Sequence, residues 1–256
     1  MKYTATITHV LRHTPRIVTL YFSVNDTRPA DIINVANITS LTNPTSLPTY
    51  KFTAGQYLSV YFDETGVAEG KAYSISATPW DDELAITVKN VNGPFSSRLC
   101  DLKPGDNITI SSPFGFFNVQ DDAPIVAIAA GVGISPILSI IRDECHNNPE
   151  RKISLFFTAP KPDELVFSND INKLFKTNKN ASVQYFVTRQ PVASTKDAIG
   201  LRRRFSVDSD ISEELCNKAR FYVCGSEDFV RDIFRSLMER GVNETNVVTE
   251  TFFESA

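Results

Sequence analysis

A chain of 256 residues, 42% hydrophobic and 22% charged, is long enough for two ordinary domains with separate cores, and its composition is that of a globular protein. The formal charge of −4 gives no basic surplus, which excludes nucleic acid as the expected partner. The first ten residues, MKYTATITHV, hold no apolar run of signal-peptide length. The four cysteines, Cys100, Cys145, Cys216 and Cys224, show no CxxC spacing, so neither zinc nor an iron–sulfur cluster is expected. Free thiols in a reducing cytoplasm are the expectation.

From Tyr3 to about Ser112 the pattern is all β. Runs at Ile17 to Ser23, Gln56 to Phe62, Lys71 to Ala77, Leu84 to Val91 and Asn107 to Ser112 are short and rich in β-branched and aromatic residues, with turn chemistry such as Pro104-Gly105-Asp106 between them. This density predicts a small antiparallel six-stranded β-barrel over residues 1–120. Between Asn25 and Thr49 a polar stretch with three prolines reads as a long excursion between two strands.

Beyond Asp121 the pattern changes to alternating strand and helix. Strands are expected at Ile125 to Ala130, Ile153 to Thr158, Ser182 to Thr188, Phe221 to Cys224 and Asn246 to Phe252, and helices at Pro136 to Cys145, Asn169 to Lys176 and Glu227 to Arg240. The last helix carries acidic Glu227 and Asp228 in its first turn, apolar Phe229, Ile233 and Leu237 at i+4 spacing, and Gly241 past its end, with Ser226 as the expected cap. Alternation of this kind predicts an α/β domain over 121–256, a parallel sheet covered on both faces that binds ligands beyond the carboxyl ends of its strands.

One such end is PIVAIAAGVGISPILSII, Pro124 to Ile141, read as a buried strand, a glycine turn at Gly131 and Gly133, a Ser135 cap and a helix opening on Pro136. No charge interrupts Ala123 to Ile141, yet paired glycines, prolines and serines break the run where a turn belongs, and a membrane span is not expected. Glycines that admit a ligand to the backbone, beside the free N–H groups of a helix start, suit a pyrophosphate; a turn that merely packs is the plain alternative. A Rossmann fingerprint would need a third glycine and a carboxylate after the second strand, whereas this chain has Pro136 and Thr158-Ala159-Pro160-Lys161. The third strand instead ends on Arg189, with Arg202, Arg203 and Arg204 one connection later. Guanidinium forks here suit a 2′-phosphate, or else form a solvated loop balancing Asp208 and Asp210.

In the β half, KAYSIS alternates Lys71, Tyr73 and Ile75 on one side of its strand, and Gly93, Ser96 and Ser97 lie in a turn before a short helix. Each alone reads as ordinary barrel packing. In order, FTAGQY, KAYSIS, the Gly93 to Ser97 turn, SPFGFF, AAGVGISP, VTR, YVCGSEDFV and TETFF resemble the ferredoxin–NADP⁺ reductase family of flavoproteins across nearly the whole chain, most like short bacterial members without a fused iron–sulfur domain.

The resemblance implies an FAD-binding barrel and an NAD(P)-binding domain, with electrons passing from NADPH, or NADH, through the flavin to a separate ferredoxin or flavodoxin, in a cytoplasmic monomer. A general flavin or small-molecule reductase and a non-catalytic flavoprotein subunit stay open as alternatives. By position it assigns Lys71, Gly93, Ser96 and Ser97 to the FAD pyrophosphate, Tyr73 to the isoalloxazine face and Ser74 to its N5 side. Gly131, Gly133 and Ser135 fall to the NAD(P) pyrophosphate, Cys224 to the nicotinamide and Glu250 to a polar relay beneath it, while Arg189, Arg203 and Arg204 stand as the 2′-phosphate candidates read from the strand end itself. Phe252 or Phe253 would cover the flavin, and Val88, Gly225 and Phe229 join the cofactor-binding set. Cys224 also reads as a small thiol that only packs. The chain departs from the family in Lys71, where arginine is usual, in Ala54, in the Asn25 to Thr49 excursion and in Phe253.

Overall fold

A computed structural model describes residues 1–25, 50–65, 68–189 and 203–252. The Asn25 to Thr49 excursion, Arg202 and Phe253 therefore lie outside the described residues, apart from the main chain of Asn25. The first half contains β1 (Lys2–Thr14), β2 (Ile17–Asn25), β3 (Tyr57–Tyr61), β4 (Lys71–Ser74), β5 (Leu84–Lys89), α1 (Pro94–Asp101) and β6 (Asn107–Ser111). These strands form an antiparallel sheet in the order β4-β3-β6-β1-β2-β5. Its two edges meet where Ile75 bridges Ile86 and Ser76 N–H donates to the Ala85 carbonyl at 2.8 Å, which closes the sheet into the expected barrel.

β1 serves two neighbours, β6 from Lys2 to Thr6 and β2 from Thr4 to Thr14, and two register irregularities let it bend between them. Alternate residues point inward, so Ile7, Val18, Leu20, Leu58, Val60, Ile86, Val88, Ile108 and Ile110 fill the barrel, and Phe95 and Leu99 of α1 plug one end.

The second half contains β7 (Ile125–Ala130), α2 (Ile134–Asn147), β8 (Ile153–Ala159), α3 (Ser168–Thr177), β9 (Ala181–Val187), α4 (Val207–Asp210), α5 (Glu213–Lys218), β10 (Arg220–Ser226), α6 (Glu227–Glu239) and β11 (Val247–Phe252). The five strands are parallel in the order β11-β10-β7-β8-β9. On one face Ala127, Ala129, Leu155, Phe157, Tyr222 and Cys224 meet α2 and α3. On the other Val126, Ile128, Phe156, Phe186, Phe221 and Val223 meet α4, α5 and α6. The chain runs outward from β7 to β9 and then returns to the other side of β7, so the strand order reverses between β7 and β10. Their carboxyl ends, at Gly131 and Gly225, border that crevice.

Three local expectations are corrected. β4 stops at Ser74 rather than Ala77, because the barrel closes there by a single bridge. A 3₁₀ turn over Gly131–Gly133 runs into α2, which starts at Ile134 with Gly133 in the cap position. Ser135 therefore lies inside the helix, and its hydroxyl donates back to the Val132 carbonyl at 2.8 Å instead of capping. Ser226 does stand at the cap position of α6, but its side chain makes no capping hydrogen bond.

Candidate functional site

The carboxyl ends of β10 and β11 carry the centre of the site. Cys224 is paired in register with Glu250 on one side and Ala129 on the other, so all three side chains face the α2 side of the sheet. From the barrel, the Ser74 hydroxyl at the end of β4 donates to Glu250 Oε1 at 2.5 Å, joining residues 176 positions apart. Burial pushes the Glu250 carboxyl above its ordinary value, and the Ser74 hydrogen bond opposes that rise. Burial, with the Glu250 charge adding to it, pushes the Cys224 thiol well up. Cys224 is 0% exposed and stays a neutral thiol, suited to contact rather than nucleophilic attack.

On β4, Lys71 is half-buried with Nζ 5.9 Å from the centre of the Phe95 ring, and Tyr73 packs against the barrel core. Burial raises the Tyr73 phenol far above its usual range, so it stays protonated. Gly93 stands in the cap position of α1 with Pro94 first in the helix. The Ser96 hydroxyl is used locally, accepting from Val91 N–H at 3.2 Å and donating to the Gly93 carbonyl at 3.2 Å, while the Ser97 hydroxyl donates to Asn90 Oδ1 at 3.3 Å. What this turn presents to an anion is thus the main-chain N–H groups of the first turn of α1 rather than the serine hydroxyls. The Val88 side chain lies in the barrel core.

The two turn glycines differ in what they permit. Gly131 has φ +54° and open space around a would-be Cβ, whereas a Cβ on Gly133 would lie 2.3 Å from the Cys224 carbonyl oxygen. Gly133 thus lets α2 start directly against the end of β10. Gly225 is also crowded, since a Cβ there would fall 2.8 Å from Phe229 Cδ1 and 2.9 Å from Ala130 Cβ. Phe229 packs on the far face of the sheet, and Phe252 on the near face, at the rim of the core that contains Cys224.

The arginines separate. Arg189 is exposed just past β9, and its N–H donates to the Pro160 carbonyl at 2.9 Å, which sets it beside the end of β8. Arg203 lies over the Phe186 ring at 5.2 Å and gives its fork to Asp210, with one contact of 2.6 Å. That is the acid-balancing reading of the arginine run. Arg204 is exposed.

The SPFGFF motif, Ser112 to Phe117, carries no site assignment from sequence alone. Tyr57 and Phe114 exchange main-chain hydrogen bonds of 2.9 and 2.8 Å, and this pins the loop to β3. A groove of about 480 Å³ opens there between Tyr57, Phe114 to Phe117 and Val248 to Glu250, and Phe116 stands 91% exposed at its lip. The signal was an aromatic cluster around a glycine, which does not reveal the strand it meets.

Residues 30–119 match the oxidoreductase FAD-binding domain family and residues 127–235 match the oxidoreductase NAD-binding domain family. A ferredoxin NADP⁺ reductase from Neisseria gonorrhoeae, solved with bound FAD and NADP, superimposes with a TM-score of 0.69 at 22% identity, over 98% of this chain and 99% of that one. The chain thus carries an oxidoreductase FAD-binding domain followed by an oxidoreductase NAD-binding domain, in the fold of a ferredoxin NADP⁺ reductase. Within that fold, the flavohem-like FAD/NAD-binding domain of a nitric oxide dioxygenase from Vibrio cholerae O1 biovar El Tor superimposes with a TM-score of 0.78 at 20% identity, covering 98% of each chain. A flavohemoprotein from Bacillus subtilis (strain 168) is 31% identical over 215 residues, 81% of this chain and 53% of the relative. The chain spans about half the length of the curated relatives it matches. The four cysteines are free thiols, and no helix among the described residues is long and apolar enough to cross a membrane.

Proposed function

We propose that this protein is a flavin-dependent NAD(P)H oxidoreductase that takes two electrons from NADPH and passes them to a separate one-electron carrier of the ferredoxin or flavodoxin kind, in the cytoplasm. The proposed domain boundary at residue 120 is supported by the change from antiparallel to parallel strands between β6 and β7. The observation that carries the reading is the Ser74 to Glu250 hydrogen bond, which brings the β4 row of the barrel against the β10 and β11 ends of the α/β domain. A flavin held by the first and a nicotinamide held by the second would meet at that bond.

The residues fit both groups. Half-buried Lys71 and the main-chain N–H groups at the start of α1 supply positive ends for the FAD pyrophosphate, and Tyr73 supplies a flat ring on the same strand. Gly131 leaves an open cradle at the start of α2 for the second pyrophosphate. When bound, FAD supplies uptake of two electrons and their release one at a time. The chain's own contribution is positioning and electrostatics. Ser74 keeps a hydroxyl dipole fixed by Glu250, Glu250 holds a proton-exchanging carboxyl under the crevice, and neutral Cys224 fills the strand end without competing as a nucleophile.

Arg189 beside the end of β8, with no carboxylate in Thr158 to Lys161, favours a 2′-phosphate over a free ribose hydroxyl. Arg204 is also exposed, while the fork of Arg203 is already occupied. The test of the two-domain assignment is the released cofactor: acid extraction yields FAD, and FMN alone would contradict a pyrophosphate grip at Lys71 and α1. The carrier is tested by anaerobic transfer from the NADPH-reduced protein to ferredoxin, flavodoxin and free flavin. Fastest transfer to free flavin would make a general flavin reductase the better description.

A further inference from the structure

Helix α2 is shared by both halves of the molecule. Its apolar side packs on the sheet through Ile137, Ile140 and Ile141, while Ser139, Arg142 and His146, spaced at i, i+3 and i+7, form a polar stripe on a different side. That stripe runs from buried Ser139 through partly buried Arg142 to exposed His146, and each of the three has a partner in the loop after β4. The Ser139 hydroxyl, 0% exposed, donates to the Ala77 carbonyl at 2.5 Å. Arg142 makes a two-pronged contact with Asp81, at 2.7 and 2.9 Å, and its guanidinium lies 5.0 Å from the Trp80 ring. His146 packs against the same indole with ring centres 4.8 Å apart.

The loop so gripped is the direct continuation of β4. Ala77 follows Ser74 by three residues, and Asp81 also accepts the Thr78 N–H at 2.7 Å, which keeps the loop folded on itself. Burial opposes ionisation of Asp81, yet the bonds from Arg142 and Thr78 hold its carboxyl below the ordinary range. At the other end of the helix, Gly133 precedes Ser139 by six residues, about 9 Å along the axis. One rigid rod therefore touches the end of the FAD-binding strand and begins at the turn that suits the nucleotide.

We propose that the Ser139 and Arg142 contacts with the Ala77 to Asp81 loop are positioning contacts that set the distance between the flavin and the nicotinamide. This rests on the functional reading given above. Ser139 and Arg142 touch neither cofactor; they act by fixing Ser74 and the glycine turn relative to each other. Misplacement by about 1 Å is enough to cost on the order of a hundredfold in rate, so partial loosening is expected to cost about tenfold.

Trp80 is the only tryptophan of the chain and gives a readout apart from activity. The experiment compares the purified flavoprotein with Ser139→Ala, Arg142→Met and Asp81→Ser, the last retaining an acceptor for the Thr78 N–H. Three quantities are measured: acrylamide quenching of Trp80, nucleotide affinity, and the limiting rate of anaerobic flavin bleaching at saturating NADPH. The proposal expects flavin content and affinity within about twofold of the unmodified protein, Trp80 quenching raised in the Arg142 and Asp81 variants, and the limiting rate about tenfold lower in all three. Arg142→Lys, which keeps the charge without the fork, is expected to recover part of the rate and remains available should a harsher variant fail to fold. A limiting rate within twofold of the unmodified protein in these variants overturns the positioning role, whether or not Trp80 becomes more accessible. No bleaching of the unmodified protein by either nucleotide overturns the functional reading and the transfer role with it, while Trp80 quenching still shows whether the stripe holds the loop.

Discussion

A thiol with 0% exposure, held neutral by burial, can serve the proposed electron transfer only as a small polarisable contact. Cys224→Ser exchanges that contact for a hydroxyl and is predicted to retain the flavin spectrum while slowing bleaching by NADPH by about tenfold, read by anaerobic stopped flow. A rate equal to that of the unmodified protein would leave Cys224 as packing. Glu250 carries a pH signature as well. Its folded value lies above the ordinary 4.5, so the folded protein binds more protons than the unfolded chain between those values, and stability falls as pH rises through that window. Glu250→Gln removes this titration. Thermal melts are predicted to lose the part of the pH dependence that starts near 4.5 and runs upward, with no change below it. The Ser74 partner of this carboxyl was not legible in local pattern, because 176 residues separate the two and only the family resemblance joined them. Arg203 shows the opposite limit: its charge was plain, but Asp210 seven residues on was one of two partners the sequence allowed.

At the level of elements, the glycine turn before α2 separates conformation from space. Gly133→Ala would drive a Cβ into the Cys224 main chain and is predicted to cost roughly 1 to 3 kcal/mol, with loss of nucleotide affinity, by denaturant titration and equilibrium binding. Gly131→Ala meets open space and carries only the left-handed strain of roughly 1 to 2 kcal/mol. The strands themselves were readable because Ile125 to Ile128 and their partners are β-branched or apolar on both faces, as a covered parallel sheet demands. The start of α2 was misread because a 3₁₀ turn extends the winding ahead of Pro136 and turns the Ser135 hydroxyl back to Val132, which no cap rule anticipates. The grip of α2 on Trp80 and Asp81 had no sequence signal, since neither partner repeats or alternates with anything.

For the whole molecule, fold and cofactor class were legible because eight short motifs fall in one order, and both domain families match in that order. Nucleotide choice rests on fewer residues. Arg189→Ala is predicted to weaken NADPH by about tenfold and leave NADH nearly unchanged, since a charge-assisted contact to phosphate is lost. Arg203→Ala is predicted to change neither by more than about twofold, because its fork is already given to Asp210. Salt should narrow the NADPH preference, as Arg189 is exposed. The most direct measurement of the central claim is anaerobic mixing of the purified flavoprotein with NADPH and, separately, NADH. Bleaching of the flavin by both nucleotides, faster and at lower concentration with NADPH, is the predicted result. Flavin that stays oxidised with an excess of either nucleotide would contradict a redox role for the joined site and leave a flavoprotein that binds its cofactor without turning it over.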